Sequence, residues 1–173
     1  MKMIIKDFKI DDVISKYEKQ LRMDGITDTS EVIYYSENKK DISKDGRVRC
    51  FFVNLDNLVR EIIEENGIKS GFVVCSSKHT TSSVYVNHFE QGVMNDMLDV
   101  LRELYPVNKK YKHNEWDYEY KNGDAHLKAV QMGKSATVII SDGLLVLGDF
   151  ENIIYAEFDK REGKAINIAV FGE

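Results

Sequence analysis

A chain of 173 residues, 43% hydrophobic and 31% charged, is long enough to bury a proper core as one domain and is ordinary for a globular protein. The formal net charge of −5 argues against nonspecific nucleic-acid binding, which relies on lysine and arginine contacts to phosphate, but leaves room for a local basic pocket. The opening MKMIIKDFKI is broken by Lys6 and Asp7 and is too short for a signal region or a membrane span, so a cytoplasmic address is the expectation.

Val13, Tyr17 and Leu21 recur at helical spacing and predict a helix from Asp11 to Met23, ended by Asp24-Gly25. Residues 1–30 read as a helical extension packed on a body of residues 31–173. Glu31 to Ser36 is strand-like, and the polar stretch Glu37 to Gly46 suggests a hairpin returning along Arg47 to Val53. Leu55, Leu58, Val59, Ile62 and Ile63 then share one helical face, with Asn54 or Asp56 available as cap and Asn66-Gly67 as stop. Ile68 to Cys75 predicts a buried strand and Ser83 to Asn87 a second, separated by a polar turn rich in hydroxyls. A further helix runs from about Phe89 to Leu104, with Met94, Met97, Leu98 and Leu101 on one side and Pro106 beyond its end.

Val107 to Gly123 shows no period, and its length and aromatic content suggest a functional loop. Asp124 is placed to cap a short helix from Ala125 to Met132, closed by Gly133. The tail predicts strands at Ala136–Ser141, Leu144–Leu147, Ile153–Phe158 and Ala165–Phe171, with turns at Asp142-Gly143 and Gly148-Asp149. The expected architecture is an α+β single-domain sandwich of mainly antiparallel sheet with two principal helices. Cys50 and Cys75 form no CxxC pair and read as buried, inert thiols.

Chemistry converges on the four histidines, His79, His88, His113 and His126. Three of them, His79, His113 and His126, stand in polar contexts at the edges of predicted elements. Brought together, they would serve as acid and base near neutral pH, or bind a divalent metal while leaving a position open. His88 is the structural one of the four. A histidine in the first turn of a helix, as His126 is, is disfavoured as a cation by the helix dipole. Glu90 and Asp96 offer carboxylates, although capping and solvating the neighbouring helix is the plainer role for both. Ser76, Ser77, Thr80, Thr81, Ser82 and Ser83 could face phosphate oxygens, with Lys78 adding charge. No GxSxG accompanies them, which disfavours serine hydrolysis.

KHTTSSVYVN with Glu90, the NDM of Asn95 to Met97, YKHNE at Tyr111 to Glu115 and NGDAHLKA at Asn122 to Ala129 follow one another in order. SDGLLVLGDFENI from Ser141 to Ile153 and the EFD of Glu157 to Asp159 complete the series. The combination resembles the YjbQ-like family, also described as the secondary thiamine-phosphate synthase family, from about Arg47 to Gly172. The resemblance implies a homotrimer and a reaction joining an aminopyrimidine diphosphate to a thiazole phosphate. It implies site positions at His79, Thr80, Thr81, Asn87, Glu90, Asp96, His113, Asn114, His126 and Gly148. In that reaction His79, His113 and His126 would form the acid–base or metal cluster (zinc or magnesium), partnered by Glu90 or Asp96. Thr80, Thr81 and Ser82 would orient phosphate, and a small phosphorylated metabolite would be the ligand. The family's usual tryptophan and glutamine after the glycine are Phe150 and Glu151 here, which changes charge and donor capacity. A binding module with incidental activity and a metal-dependent hydrolase are the alternatives.

Overall fold

A computed structural model describes residues 1–24, 32–34, 50–116, 119–159, 161 and 163–173. The expected stop at Gly25 and the polar turn from Glu37 to Gly46 lie outside them. The strands are β1 (Lys2–Lys9), β2 (Val32–Tyr34), β3 (Phe51–Asn54), β4 (Gly71–Ser77), β5 (Ser82–Asn87), β6 (Ser135–Ser141), β7 (Leu144–Leu145), β8 (Asn152–Glu157) and β9 (Ala165–Gly172). The helices are α1 (Ile10–Asp24), α2 (Asp56–Glu65), α3 (Gln91–Leu104), α4 (Lys112–Trp116) and α5 (Gly123–Met132).

These strands make two antiparallel sheets, ordered β1-β9-β4-β6-β7 and β2-β3-β8-β5. The larger sheet buries one face, and its strands alternate accordingly: Ile166, Ile168 and Val170 of β9 point inward while their neighbours stay partly exposed. The smaller sheet is buried on both faces. Phe51, Val53, Ile153 and Tyr155 enter a core shared with the larger sheet, α1 and α2. Phe52, Ile154 and Ala156 face a second core with Met94, Leu98 and Leu101 of α3 and Ala125 and Ala129 of α5. That double burial explains the unbroken apolar run of β8, where alternation would have placed polar groups in a core.

The first nine residues depart from the sequence reading. Lys2 to Lys9 pair with β9 along their whole length, from Lys2–Gly172 to Lys9–Ala165. The strand was masked because Lys6 occupies the inward row between Ile4 and Phe8; its ammonium reaches Glu65 of α2 at 2.9 Å. Ile10, Val13, Ile14 and Tyr17 of α1 are buried in the shared core, so β1 and the first turns of α1 contribute to the sandwich. At α2 the two expected capping residues do different work, and Leu55 stands at the cap position itself. Asn54 accepts from the Asp56 backbone N–H, and Asp56 turns away to accept from the Ile153 N–H at 2.8 Å and Asn152 at 2.9 Å. The Asp142-Gly143 turn is as expected, with both residues at positive φ (53° and 79°), as the tight β6–β7 hairpin requires. Both cysteines are buried and neither is in a disulfide, and burial pushes the Cys75 thiol up to about 12.

One ion pair is sealed inside α5. Lys128 and Asp124 are each 1% exposed and meet at 2.9 Å. Lys128→Met should cost about 3–5 kcal/mol in urea denaturation, because the Asp124 carboxylate is left charged and buried. Adding Asp124→Leu should restore part of that loss.

Candidate functional site

The turn between β4 and β5 is held from within and from beneath. The Ser77 hydroxyl accepts from the His79 N–H at 3.1 Å and lies 2.5 Å from the Ser82 hydroxyl. The Lys78 N–H donates to the Ala165 carbonyl at 3.1 Å, docking the turn on the start of β9. The expected row of phosphate-facing hydroxyls is therefore split. Thr80 is exposed, whereas Thr81, Ser82 and Ser83 are buried, and Ser83 donates to the Ala129 carbonyl at 2.9 Å. Ser82 and Ser83 point to opposite faces of β5, and both are buried because this part of the smaller sheet is covered on both sides.

Beneath the turn lies Glu157, wholly buried at the end of β8. Its carboxylate accepts from the Tyr155 hydroxyl at 2.6 Å, the Asp159 N–H at 2.9 Å, Lys164 at 3.2 Å and Thr81 at 3.3 Å. Lys164 also reaches the Thr81 hydroxyl at 2.5 Å. Burial pushes the Glu157 carboxyl up, and Lys164 opposes it. Burial and then the Glu157 charge push the Tyr155 hydroxyl upward, so it remains a donor.

Beside this network the two helices α4 and α5 bring His113 and His126 together. Their rings meet edge to face, with centroids 4.6 Å apart and planes at 70°. Asn114 sets the approach by accepting from the Gly123 N–H at 2.9 Å. A Cβ at Gly123 would lie 2.7 Å from the Tyr111 Cβ, so the helices meet this closely only around a glycine. His113 Nε2 lies 3.1 Å from Asn122 Oδ1, and Asn122 donates its amide to Asp159 at 2.6 Å. An amide oxygen only accepts, so Nε2 of His113 is the donor in this contact. Asp159 also pairs with Arg161 at 2.7 Å, and the guanidinium lies over the Tyr120 ring, 3.4 Å from its centroid.

Electrostatics tie His79 to the pair. Burial first, then Lys164 and Lys78, hold His79 below the ordinary imidazole range. Burial first, then His113, hold His126 below it, with Lys164 and Arg161 adding and Asp159 opposing. The Lys164 charge contributes to both shifts.

The remaining expected residues serve elsewhere. Both oxygens of Glu90 cap α3, accepting from Gly92 and Val93 at 2.8 and 2.9 Å, and those bonds hold its carboxyl below the usual range. Asp96 is exposed in a shallow groove between α3 and α5 with Met97, Gln131 and Met132. The carboxylate backing the histidines is Asp159, not Glu90 or Asp96. Asn87 accepts from the His88 N–H, and Gly148 donates to the Glu151 carboxylate. His88 lies against Phe150, with ring centroids 5.1 Å apart. Among the described residues no three His, Cys, Asp or Glu side chains stand together as a metal-holding group. The donors at the site thus do not fit the three-histidine ion expected from the sequence. Lys164, Arg161, Asn122 and Asp159 are the residues that the sequence reading missed, although the EFD stretch pointed at the last.

A family model described as "UPF0047 protein YjbQ-like" matches residues 38–173. The chain belongs to the YjbQ-like UPF0047 family. It is 32% identical over 125 residues to a UPF0047 protein of Methanothermobacter thermautotrophicus, covering 72% of this chain and 85% of that one. UPF0047 protein YugU of Bacillus subtilis is 30% identical over 121 residues, covering 69% and 89%. Among solved structures, a YbjQ-like protein of unknown function from Sulfolobus solfataricus superposes with a TM-score of 0.70 at 24% identity, covering 99% of this chain and all of that one. A YjbQ/UPF0047 protein from Clostridium acetobutylicum does so at 0.65 and 28% identity, over 81% and 97%. YjbQ-like proteins share this α+β fold of antiparallel sheets.

In an NMR pH titration, His79 and His126 should both show midpoints below that of an exposed histidine, so that lowering the pH charges them later than it charges a solvated imidazole. His113→Ala should move the His126 midpoint upward, since it removes a repelling charge and part of the cover.

Proposed function

We propose that this YjbQ-like protein is a transferase of the secondary thiamine-phosphate synthase type, joining an aminopyrimidine diphosphate to a thiazole phosphate. The observation that carries the reading is the imidazole pair, His113 and His126, 4.6 Å apart and backed by Asn122 and Asp159. In the coupling, the bond from the pyrimidine methylene carbon to the diphosphate oxygen breaks, and diphosphate leaves with the electron pair. The thiazole ring nitrogen then forms the new C–N bond. His126, held below the ordinary imidazole range, offers one N–H to the departing oxygens and keeps one basic nitrogen for a proton, while His113, whose Nε2–H goes to Asn122, works through its other ring nitrogen. Trp116, 84% exposed and on the same helix as His113, offers aromatic surface for a heterocycle. No helix among the described residues is long and apolar enough to cross a membrane, and a cytoplasmic protein with neither cysteine in a disulfide accords with this reading.

His113→Ala and His126→Ala should each lower kcat/KM for thiamine-phosphate formation by about 10²- to 10⁴-fold, the range for a positioned acid or base. The same variants should fail to rescue a thiamine auxotroph that the unaltered protein rescues. Undiminished turnover in both would end the proposal.

The reading includes a homotrimer. On the outer face of the larger sheet, Met3, Phe171, Phe72 and Ile139 are aligned across four strands, and the two phenylalanine rings stack at 5.0 Å. Ile5, Leu144 and Val146 extend this exposed apolar surface. Sedimentation should give three times the 20.0 kDa chain mass, and Phe72→Glu with Ile139→Lys should reduce it to one. A single-chain mass for the unaltered protein would refute the assembly.

A further inference from the structure

The geometry points to Lys164 as the group that receives the anionic, phosphate-bearing end of the ligand. The inference rests on the reading that a phosphorylated substrate binds beside the histidines. Lysines are common in this chain, so the question is which of them is built for the purpose. Lys128 is sealed against Asp124, each 1% exposed, and reaches no solvent. Lys78 is exposed and pairs with Asp7 at 3.1 Å, at the surface. Arg161 is engaged twice, by Asp159 and by the Tyr120 ring.

Lys164 differs from all three. Its side chain is 9% exposed, buried enough to be fixed yet less sealed from solvent than Lys128 at 1%. An ammonium has three protons to donate, and the Thr81 hydroxyl and Glu157 carboxylate take two. Glu157 is itself saturated by Tyr155 and the Asp159 N–H, so it acts as an anchor. The backbone around the lysine is clamped as well. The Ile10 N–H donates to the Lys164 carbonyl at 2.9 Å, and the Lys78 N–H to the Ala165 carbonyl at 3.1 Å. A cation so fixed meets an oxyanion with little further loss of side-chain entropy. Through the Thr81 hydroxyl it is joined to the β4–β5 turn, and through Glu157, the Asp159 N–H and Asn122 to His113. The exposed Thr80 hydroxyl lies on the same turn.

Pyrophosphate titrated calorimetrically into the full-length protein tests the assignment without any turnover. Lys164→Met should weaken pyrophosphate binding about tenfold or more, the size of one lost charge-assisted hydrogen bond. Thr81→Val keeps the charge but frees the ammonium from one restraint, and should weaken binding a few-fold; Lys164→Arg should recover part of the loss. Pyrophosphate binding that is absent in the unaltered protein, or equal in folded Lys164→Met, overturns the assignment. Should Lys164→Met fail to fold, unchanged affinity in Thr81→Val overturns it instead. The functional reading fails separately. Pyrophosphate bound through Lys164 without thiamine-phosphate formation would sink the synthase and leave the anion subsite standing. Turnover with equal pyrophosphate affinity in all variants would do the reverse.

Discussion

One carboxylate with no solvent exposure, Glu157, holds the site-bearing segments in register. Its four donors arrive from different parts of the chain: Tyr155 from β8, Thr81 from the β4–β5 turn, Lys164 from the start of β9, and the Asp159 N–H from the segment between. Taking a carboxylate out of water is costly unless its lone pairs are met, and here they are met. The energy is cooperative in position as well as magnitude. Shift any one segment and the other donors face a buried, under-satisfied charge. Thr81, Lys164 and Asp159 therefore share one frame, and through Asp159 and Asn122 the frame extends to His113.

The elements were largely legible because period and burial agree. β9 alternates as a one-sided strand should, β8 is continuously apolar because both its faces are buried, and the α2 and α3 stripes fall on their cores. Two elements were hidden for physical reasons. Lys6 interrupts the inward row of β1, and its pairing with Glu65 could not be anticipated from spacing. The helix α4 is a five-residue segment with no buried side chain, too short to show a stripe. At the site, the histidines were found by residue type, and only geometry could tell which would meet. Lys164 and Arg161 were invisible because sequence does not distinguish a buried lysine or arginine from the many that are solvated. Glu90 illustrates the opposite trap: a carboxylate close in sequence to the chemistry whose work is local, capping α3.

The two positions that differ from the family's usual residues have unequal consequences. Glu151 accepts from the Gly148 N–H at 2.9 Å, a bond that a glutamine carbonyl oxygen would make equally well. The replacement thus retains the turn's hydrogen bond while adding a charge on an exposed loop. Phe150 is 70% exposed and touches His88, keeping an aromatic face where the family has tryptophan but giving up an indole donor. Neither change reaches the Glu157 frame.

The place of the site follows from the layering. β8 is covered on both faces from Ile153 to Ala156, so a polar side chain there would be stranded in one core or the other. At Glu157 the strand ends, and the connection to β9 begins beside the β4–β5 turn and the start of α5. Polar groups can gather at that point because neighbouring segments supply the partners that a core cannot. A buried ion pair such as Glu157–Lys164 is seldom the most stable filling for its volume; apolar side chains of similar size often do as well or better. Retaining it makes sense where a cation must be held still and still touch what binds. The Lys128–Asp124 pair, sealed on all sides, has no such outlet. The difference between two buried lysines, one 9% exposed within the network that leads to His113 and one 1% exposed, is the difference between a group poised to meet a ligand and one that only fixes a helix.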